Sequence, residues 1–394
     1  MRTDRPPSGS ALACVIGSMD LVRPLGLAGI SCAVVIEAGD VAAYSRFTRE
    51  VIPLADPRCE PELLLERLLR FAGTQAEPPV LYYGQDADLL FVSRERDRLR
   101  QGFRFVIADA SLVEDLVDKE RFSRLAQRLE LPVPAAVCVD ASTVSAEDLG
   151  LRFPLVVKPV ARGRGNWAAV GNGAKALGAT DAGELDELWT RLAHEELQVI
   201  VQEQIPGPET QVESYHVYVD DAGMTVGEFT GRKIRTYPPA YGETTALEIT
   251  DEQDVAELGR EATRRLELRG VAKFDFKRDA AGRLHLLEVN PRFNLWHHPG
   301  AKAGVNLPAL VHADLTGLAR PEGQRARPGV RWVYHGHDAR AARLQGVPLL
   351  RWIPWAMSAE AKSVVALDDP LPALMGAFAR VGARLGFGPR ARRG

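Results

Sequence analysis

The chain lacks the marks of several broad protein classes. Its four cysteines, Cys14, Cys32, Cys59 and Cys138, show no paired spacing of the kind used by zinc sites, redox motifs or disulfide frameworks, and they read as reduced core thiols. No apolar run is long enough to span a membrane: the one that starts near Ala11 is broken by Ser18, Asp20 and Arg23, and the polar MRTDRPPSGS before it does not suit a signal peptide. Neither charge sign dominates, since the formal net charge is −3, so nothing electrostatic draws the chain to nucleic acid or an anionic membrane. The basic PRARRG at the end reads as a short solvated tail. No internal repeat is visible, and no Ser-His-Asp or Cys-His constellation stands out. A cytoplasmic protein with no nucleic-acid and no membrane partner is expected.

At 394 residues the length suggests two or three domains. Residues 1–10 read as a disordered tail. Between 11 and 111, apolar runs (Leu12 to Ile16, Cys32 to Ile36, Val80 to Tyr83, Phe105 to Ala108) are separated by helix-compatible stretches, the alternation of a parallel α/β sheet. The first run ends in Gly17-Ser18, a strand-to-helix turn of a kind that can bind an anion but often binds nothing. Phe122, Leu125, Ala126 and Leu129 recur at helical spacing over 119–131, and Pro132 and Pro134 close that helix. Thr250 with Gln253 forms a capping-box start to a later helix whose buried stripe is Val255, Leu258, Ala262 and Leu266.

The most informative stretch is VAKFDFKRDAAGRLHLLEVNPR, from Val271 to Arg292. Strand alternation puts Ala272, Phe274 and Phe276 on one face and Val271, Lys273, Asp275 and Lys277 on the other. A turn at DAAG leads into a second strand, Leu284 to Asn290, so a hairpin is expected. If Arg278 pairs with Arg283, Asp275 lies opposite Leu286, and Asp275, Glu288 and Asn290 project from one surface. Diagonal neighbours on such a ladder are roughly 7 to 8 Å apart, a gap that a cation between two carboxylates can close; a slip of one residue would destroy the arrangement. Few ligands, all oxygen, suit magnesium, which completes its shell with water and substrate phosphates, and a nucleotide is implied. Arg292, after the fixed φ of Pro291, has a planar fork suited to phosphate oxygens. A hairpin with solvated charged side chains would show the same pattern.

Other segments offer candidates of the same chemistry, each with a plainer alternative. Lys158, near the end of FPLVVKPV, suits a phosphate ligand or an edge lysine that reaches back to water. Gly163, Gly165, Gly171 and Gly173 permit a loop whose amides cover phosphates, or an ordinary hairpin loop. Val199 to Ile205 alternates up to the Pro206-Gly207-Pro208 break; Glu203, Glu209 and Glu213 there can accept from a ribose or an adenine amino group, or face solvent. Lys233 and Arg235, two apart in GRKIRTYPP, would share a face in an extended strand and could bind a substrate carboxylate or the γ-phosphate, or form a plain surface basic patch.

Taken in order, Lys119, VVKP with Lys158, the glycine-bearing loop, QEQIPGPE, and DF with LLEVNPR resemble the ATP-grasp superfamily over about 112–318. The resemblance implies an α/β and α+β multidomain fold: an N-terminal parallel α/β domain over 11–111, a two-lobed ATP-grasp domain over 112–320 with a mobile small lobe at about 154–203, and a C-terminal extension over 321–394. It also implies cofactors and roles: Lys119 and Lys158 on nucleotide phosphates or adenine, Glu203 and then Glu209 on the adenine and ribose side, Asp275, Glu288 and Asn290 on Mg2+, and Arg292 near the transferred phosphoryl group of ATP. DLVDKERFSRLAQRLELPVP and GRKIRTYPPAYGETTALE are most similar to carboxylate-amine ligases related to D-aspartate ligase, and WVYHGHDARA with WIPWAM resembles their C-terminal extension. Two departures stand out. Arg162, Arg164 and Trp167 lie in the phosphate loop where many relatives have small residues, and Phe293 to His298 follow Arg292 in place of a glycine-rich run.

The expected activity is therefore formation of an amide bond between a carboxylate and an amine, with amino acids as the substrate class, through an acyl phosphate with release of ADP and phosphate. Such chemistry needs positioning and charge neutralisation rather than a side-chain nucleophile. A carboxylase using bicarbonate, of the biotin carboxylase or carbamoyl phosphate synthetase type, would share every nucleotide residue, and a non-catalytic nucleotide-binding regulator is a further alternative. A closing loop over 161–173, Trp167 included, would keep water from the acyl phosphate. His297 and His298 are left outside the catalytic set, and a homodimer through the N-terminal region is expected from the resemblance.

Overall fold

The computed structural model describes residues 11–140, 147–160, 167, 170, 174, 176–193, 197–321 and 325–384. The N-terminal tail, Gly163 and Gly165 of the expected phosphate loop, and the basic C-terminal tail lie outside these residues. Three sheets organise the rest.

The first is the expected parallel sheet, in the order Thr48–Pro53, Cys32–Ile36, Ala13–Ile16, Val80–Tyr83. Its inner strands are buried throughout, which is why they read as unbroken apolar runs rather than alternating ones. Phe105 to Ala108 does not form a strand, although Arg104 beside it bridges to Val80. Cys14 and Cys32 lie in this core, and burial raises the thiol pKa of both, that of Cys32 to about 12. Cys59 and Cys138 are exposed, so only two of the four cysteines are the core thiols expected.

The second sheet is antiparallel, in the order Ala136–Asp140, Gln198–Glu203, Leu155–Pro159, Leu177–Ala179. The helix Ala182–Ala193 covers one of its faces through Leu185, Leu188, Trp189 and Leu192. This lobe reaches back to Ala136, well before the expected start near 154, because Ala136–Asp140 pairs with Gln198–Glu203.

The third sheet has seven strands, in the order Leu284–Asn290, Gly270–Arg278, Val212–Val219, Thr225–Tyr237, Glu243–Thr250, Arg331–Val333, Ala361–Lys362. Helix Gln253–Arg265 packs on one face so closely that a Cβ on Gly259 would lie 2.3 Å from the Tyr215 ring. That helix is not capped as expected: Thr250 ends a strand, and its hydroxyl donates to Thr230 Oγ1 at 3.1 Å. Helices His297–Ala303 and Leu307–Thr316 cover the opposite face.

The last two strands come from the segment expected to be a separate C-terminal extension, so that segment completes the large sheet. Its anchor is Asp338, fully buried, which accepts from Arg235 Nε (2.8 Å) and Nη2 (2.7 Å), Thr245 Oγ1 (2.9 Å) and Trp352 Nε1 (2.8 Å). The Arg235 guanidinium also lies over the Trp355 ring, 4.0 Å from its centroid. Removing one partner of such a pair strands a buried charge, so Arg235→Met should lower stability to chemical denaturation by about 3 to 5 kcal/mol. A loss below about 1 kcal/mol would show that the pair does not hold this segment in place.

Candidate active site

The candidate side chains are gathered by the edge hairpin of the large sheet. Its observed register is not the expected one: Arg278 pairs with Leu284, Lys277 with His285 and Phe276 with Leu286. A uniform ladder in this register would set Asp275 against Leu287, on the wrong face. The ladder is irregular at that point, and Leu287 is passed over, so that Asp275 pairs directly with Glu288 and Lys273 with Asn290. The bulge thus restores the shared surface that the sequence implied, with the two carboxylates closer in register than the diagonal arrangement expected.

Asp275 is buried, accepts from Ser214 Oγ at 2.5 Å and is ion-paired with Lys273 Nζ at 2.6 Å. Glu288 is exposed, and Asn290 Nδ2 donates to it at 3.1 Å. The protein around Glu288 desolvates it, which favours its neutral form. The Lys273 charge, a hydrogen bond with Asp275, the Lys233 charge and the Asn290 amide outweigh that effect and hold its carboxyl below the usual carboxylate range.

The second sheet supplies the facing wall. Lys158 Nζ donates to Gln202 Oε1 at 2.9 Å; burial lowers the Lys158 pKa, while Glu288 and Glu209 act to raise it. These two carboxylates come from the other lobe, so Lys158 looks across the space between the two antiparallel sheets. Lys119, at the start of helix Lys119–Arg128, donates to the Pro159 carbonyl at 2.5 Å, beside Lys158. Lys233 Nζ stands 4.0 Å from Glu209 Oε2, and Lys277 Nζ donates to the Gly207 carbonyl at 2.8 Å. Burial lowers the Lys277 pKa, against the pull of Glu209 and with the push of Lys233. Lys158, Lys233, Lys273 and Lys277 thus surround Glu209, Asp275 and Glu288.

Two expected residues stand elsewhere. Glu203 pairs with Leu155 on the face of the sheet that carries Val157, Val199 and Val201, opposite to Lys158, and its carboxylate accepts from the Arg152 amide (3.0 Å), Nε (3.2 Å) and Nη2 (3.0 Å). The neighbouring Gln202 shares the Lys158 face, and strand parity could have chosen it over Glu203. Arg235 does not share a face with Lys233, because the ladder shifts at Ile234: Lys233 pairs with Leu247 and Arg235 with the adjacent Ala246. Arg235 is committed to Asp338 instead.

Arg292 joins this site to the parallel sheet. It donates from Nε to Asp86 Oδ1 (2.5 Å), from Nη1 to the Gly84 carbonyl (3.0 Å) and from Nη2 to Asn290 Oδ1 (3.3 Å). Gly84 follows the strand Val80–Tyr83, so the hairpin meets the parallel sheet at the carboxyl ends of its strands, where open α/β sheets bind ligands. His297 and His298 are buried, and desolvation lowers the pKa of both, that of His297 to about 3, so both are neutral near pH 7. Trp167, expected in a closing loop, packs against the small-lobe core and donates to the Ala174 carbonyl at 2.8 Å.

Among the described residues no group of three or more His, Cys, Asp or Glu is placed to hold a metal ion. The donors present, two carboxylates facing each other with a carboxamide beside them, nevertheless fit magnesium, which takes one or two carboxylates and fills its remaining positions from water and phosphate. They do not fit zinc, which favours nitrogen and sulfur. No helix among the described residues is long and apolar enough to cross a membrane.

Comparison with known proteins agrees with this geometry. Residues 195–336 match a family model described as "ATP-grasp in the biosynthetic pathway with Ter operon". The chain is 24% identical to D-aspartate ligase of Enterococcus faecium over 345 residues, 83% of this chain and 79% of that protein. It is 30% identical to D-alanine–D-alanine ligase of Stutzerimonas stutzeri over 183 residues, 44% of this chain and 54% of that enzyme. Among solved structures, an L-amino acid ligase from Bacillus licheniformis superposes with a TM-score of 0.60 at 17% identity, covering 82% of this chain and 78% of that one. The ADP complex of an N5-carboxyaminoimidazole ribonucleotide synthetase superposes with a TM-score of 0.62 at 16% identity, covering 86% of both chains. The matched segment spans the hairpin that pairs Asp275 with Glu288; over it the chain is similar to the ATP-grasp superfamily, and over most of its length it is similar to D-aspartate ligase.

Proposed function

We propose that the protein is an ATP-dependent carboxylate-amine ligase that joins two amino-acid-like substrates through an acyl phosphate. The observation that carries the reading is the direct pairing of Asp275 with Glu288 inside a ring of lysines, between two antiparallel sheets and at the mouth of a parallel one. In this reading Lys158 and Lys119 bind nucleotide phosphate, Gln202 and Glu209 take the adenosine side, and Asp275, Glu288 and Asn290 hold Mg2+, which when bound neutralises phosphate charge. A substrate carboxylate oxygen attacks the γ-phosphorus, the bond to ADP breaks, and an amine nitrogen then displaces phosphate from the acyl carbon. Lys233 and Lys273 stand where negative charge would gather, and desolvated ammonium groups there stabilise it more than they would in water. Arg292, fixed by Asp86 and Gly84, orients the Asn290 amide and borders the side from which a second substrate would enter.

The relatives named D-aspartate ligase and D-alanine–D-alanine ligase, and the solved L-amino acid ligase, support amino acids as the substrate class. The likeness to a carboxyaminoimidazole ribonucleotide synthetase keeps bicarbonate as the rival carboxylate. The deciding experiment measures ADP release across paired amino acids and amines, with and without bicarbonate, and identifies the product by mass. ADP release that needs both an amino acid and an amine, with a product lighter by one water than their sum, is expected. Release that depends on bicarbonate instead would favour the carboxylase.

Two substitutions probe the assignment. Glu288→Gln should lower kcat about a hundredfold or more with the fold intact by circular dichroism, since it removes charge that acts on the transferring phosphoryl group. Near-normal turnover would remove Glu288 from the site. Gln202→Ala should raise the KM for ATP several-fold and leave kcat within about threefold, the pattern of a residue that binds ground and transition states alike. Equal losses in kcat would assign Gln202 another role.

A further inference from the structure

Where the parallel-sheet domain meets the C-terminal strands lies a cavity of about 150 Å³. It shares no residue with the set assigned to ATP and magnesium. Four basic side chains line it: Arg23 from helix Met19–Leu27, His298 and Lys302 one turn apart on helix His297–Ala303, and Lys362 from the last strand.

Their hydrogen bonding is incomplete. Arg23 is 3% exposed; its Nη1 and Nη2 donate to the Lys362 and Val364 carbonyls at 3.0 and 2.6 Å, but its Nε has no partner among the described residues. His298 is 2% exposed, and its Nδ1 has no hydrogen-bond partner either, with Asp20 Oδ1 at 3.7 Å. Lys362 Nζ donates to the Ala359 carbonyl. A buried charged donor left unmade is costly, so the Arg23 Nε calls for a group that accepts, and the neutral His298 ring beside it leaves Nδ1 free to take part in a further hydrogen bond.

Three carboxylates also line the cavity; Asp369 and Asp368 favour the charged form of Arg23 and Glu360 that of Lys362, and each has a further partner of its own. Asp369 accepts from Ser45 Oγ at 2.8 Å and the Arg46 amide at 2.9 Å, Asp368 lies 3.6 Å from Arg46, and Glu360 accepts from the Arg331 amide at 3.1 Å. Burial is the largest effect on His298 and Lys362 and lowers both pKa values; Asp20 acts to raise that of His298 and Glu360 that of Lys362, while Arg23 and Lys302 act to lower both. An anion would accept from the idle Arg23 Nε and offset the remaining repulsion of Lys362 by Arg23 and Lys302. At roughly 30 Å³ per water, the space suits a carboxylate- or phosphate-sized group.

We infer that the cavity bounded by Arg23, His298, Lys302 and Lys362 is a binding site for a small anion, a carboxylate or a phosphate, separate from the triphosphate site. The inference does not rest on the ligase reading, and its test needs no turnover. The full chain, held in saturating magnesium and a non-hydrolysable ATP analogue so that the triphosphate site is filled, is titrated calorimetrically with inorganic phosphate and separately with acetate. One saturable site for at least one of these anions is expected, with phosphate alone marking a phosphate ligand and acetate alone a carboxylate. Lys302→Met should weaken binding about tenfold, the scale of one charge-assisted hydrogen bond, and leave affinity for the analogue unchanged. Lys362→Met provides a second, independent variant. Absence of saturable binding, displacement of the anion by the analogue, or equal affinity in the wild type and both folded variants would overturn the site.

Discussion

The activity proposed for this protein depends on one ladder position, the pairing of Asp275 with Glu288. Two carboxylates held side by side in a sheet repel each other, and a fold tolerates this only where cations neutralise them. Here the cations are the ammonium groups of Lys273, at 2.6 Å from Asp275, and Lys233, whose charge reaches Glu288. Ser214 adds a hydroxyl donor from the neighbouring strand, so the position of Asp275 is fixed from two sides. A group restrained in this way loses little conformational freedom when it takes up a metal ion, and that is the advantage of building such a site on strands rather than loops.

The bulge at Leu287 shows why this geometry was legible in outline and not in detail. Alternation in VAKFDFK is strong because Phe274 and Phe276 are core residues, and it correctly assigned Asp275 and Lys273 to one face. Register across the turn is set by turn geometry, which a single sequence specifies poorly, and the expected pairing was one residue out. Leu286 and Val289 are both buried although three apart, a spacing that period-2 alternation forbids. That pair of apolar residues in LHLLEVN was the readable trace of a bulge. The shift at Ile234 defeated the face assignment of Lys233 and Arg235 for the same reason, and there the sequence offers no comparable trace.

Electronegative residues proved less informative than strand parity. Glu203 looked attractive because it is acidic and precedes the Pro-Gly-Pro break, yet it faces away from Lys158 and is engaged by Arg152, whereas uncharged Gln202 stands beside Lys158. Lys277 shares the Asp275 face, yet a lysine on a strand is usually solvated, and nothing near it in sequence marks it as one held by the Gly207 carbonyl. Tertiary partners decide such cases, and Asp338 is the extreme example: nothing near it in sequence announces that it will accept four hydrogen bonds from Arg235, Thr245 and Trp352.

The electrostatics of the cleft point to the kind of substrate it is built for. Four lysines crowd around three carboxylates, and for both Lys158 and Lys277 burial shifts the pKa downward, which means that the charged ammonium is held at a cost. A polyanion entering the space between the two sheets would reverse that cost, because each ammonium would gain a partner where water is scarce. A neutral substrate would leave the repulsion between Lys233 and Lys277 in place and gain nothing from it. Under the proposed function, selectivity for a triphosphate over a nucleoside would follow from the same charges that stabilise phosphoryl transfer, and binding and chemistry would draw on one preorganised set of side chains.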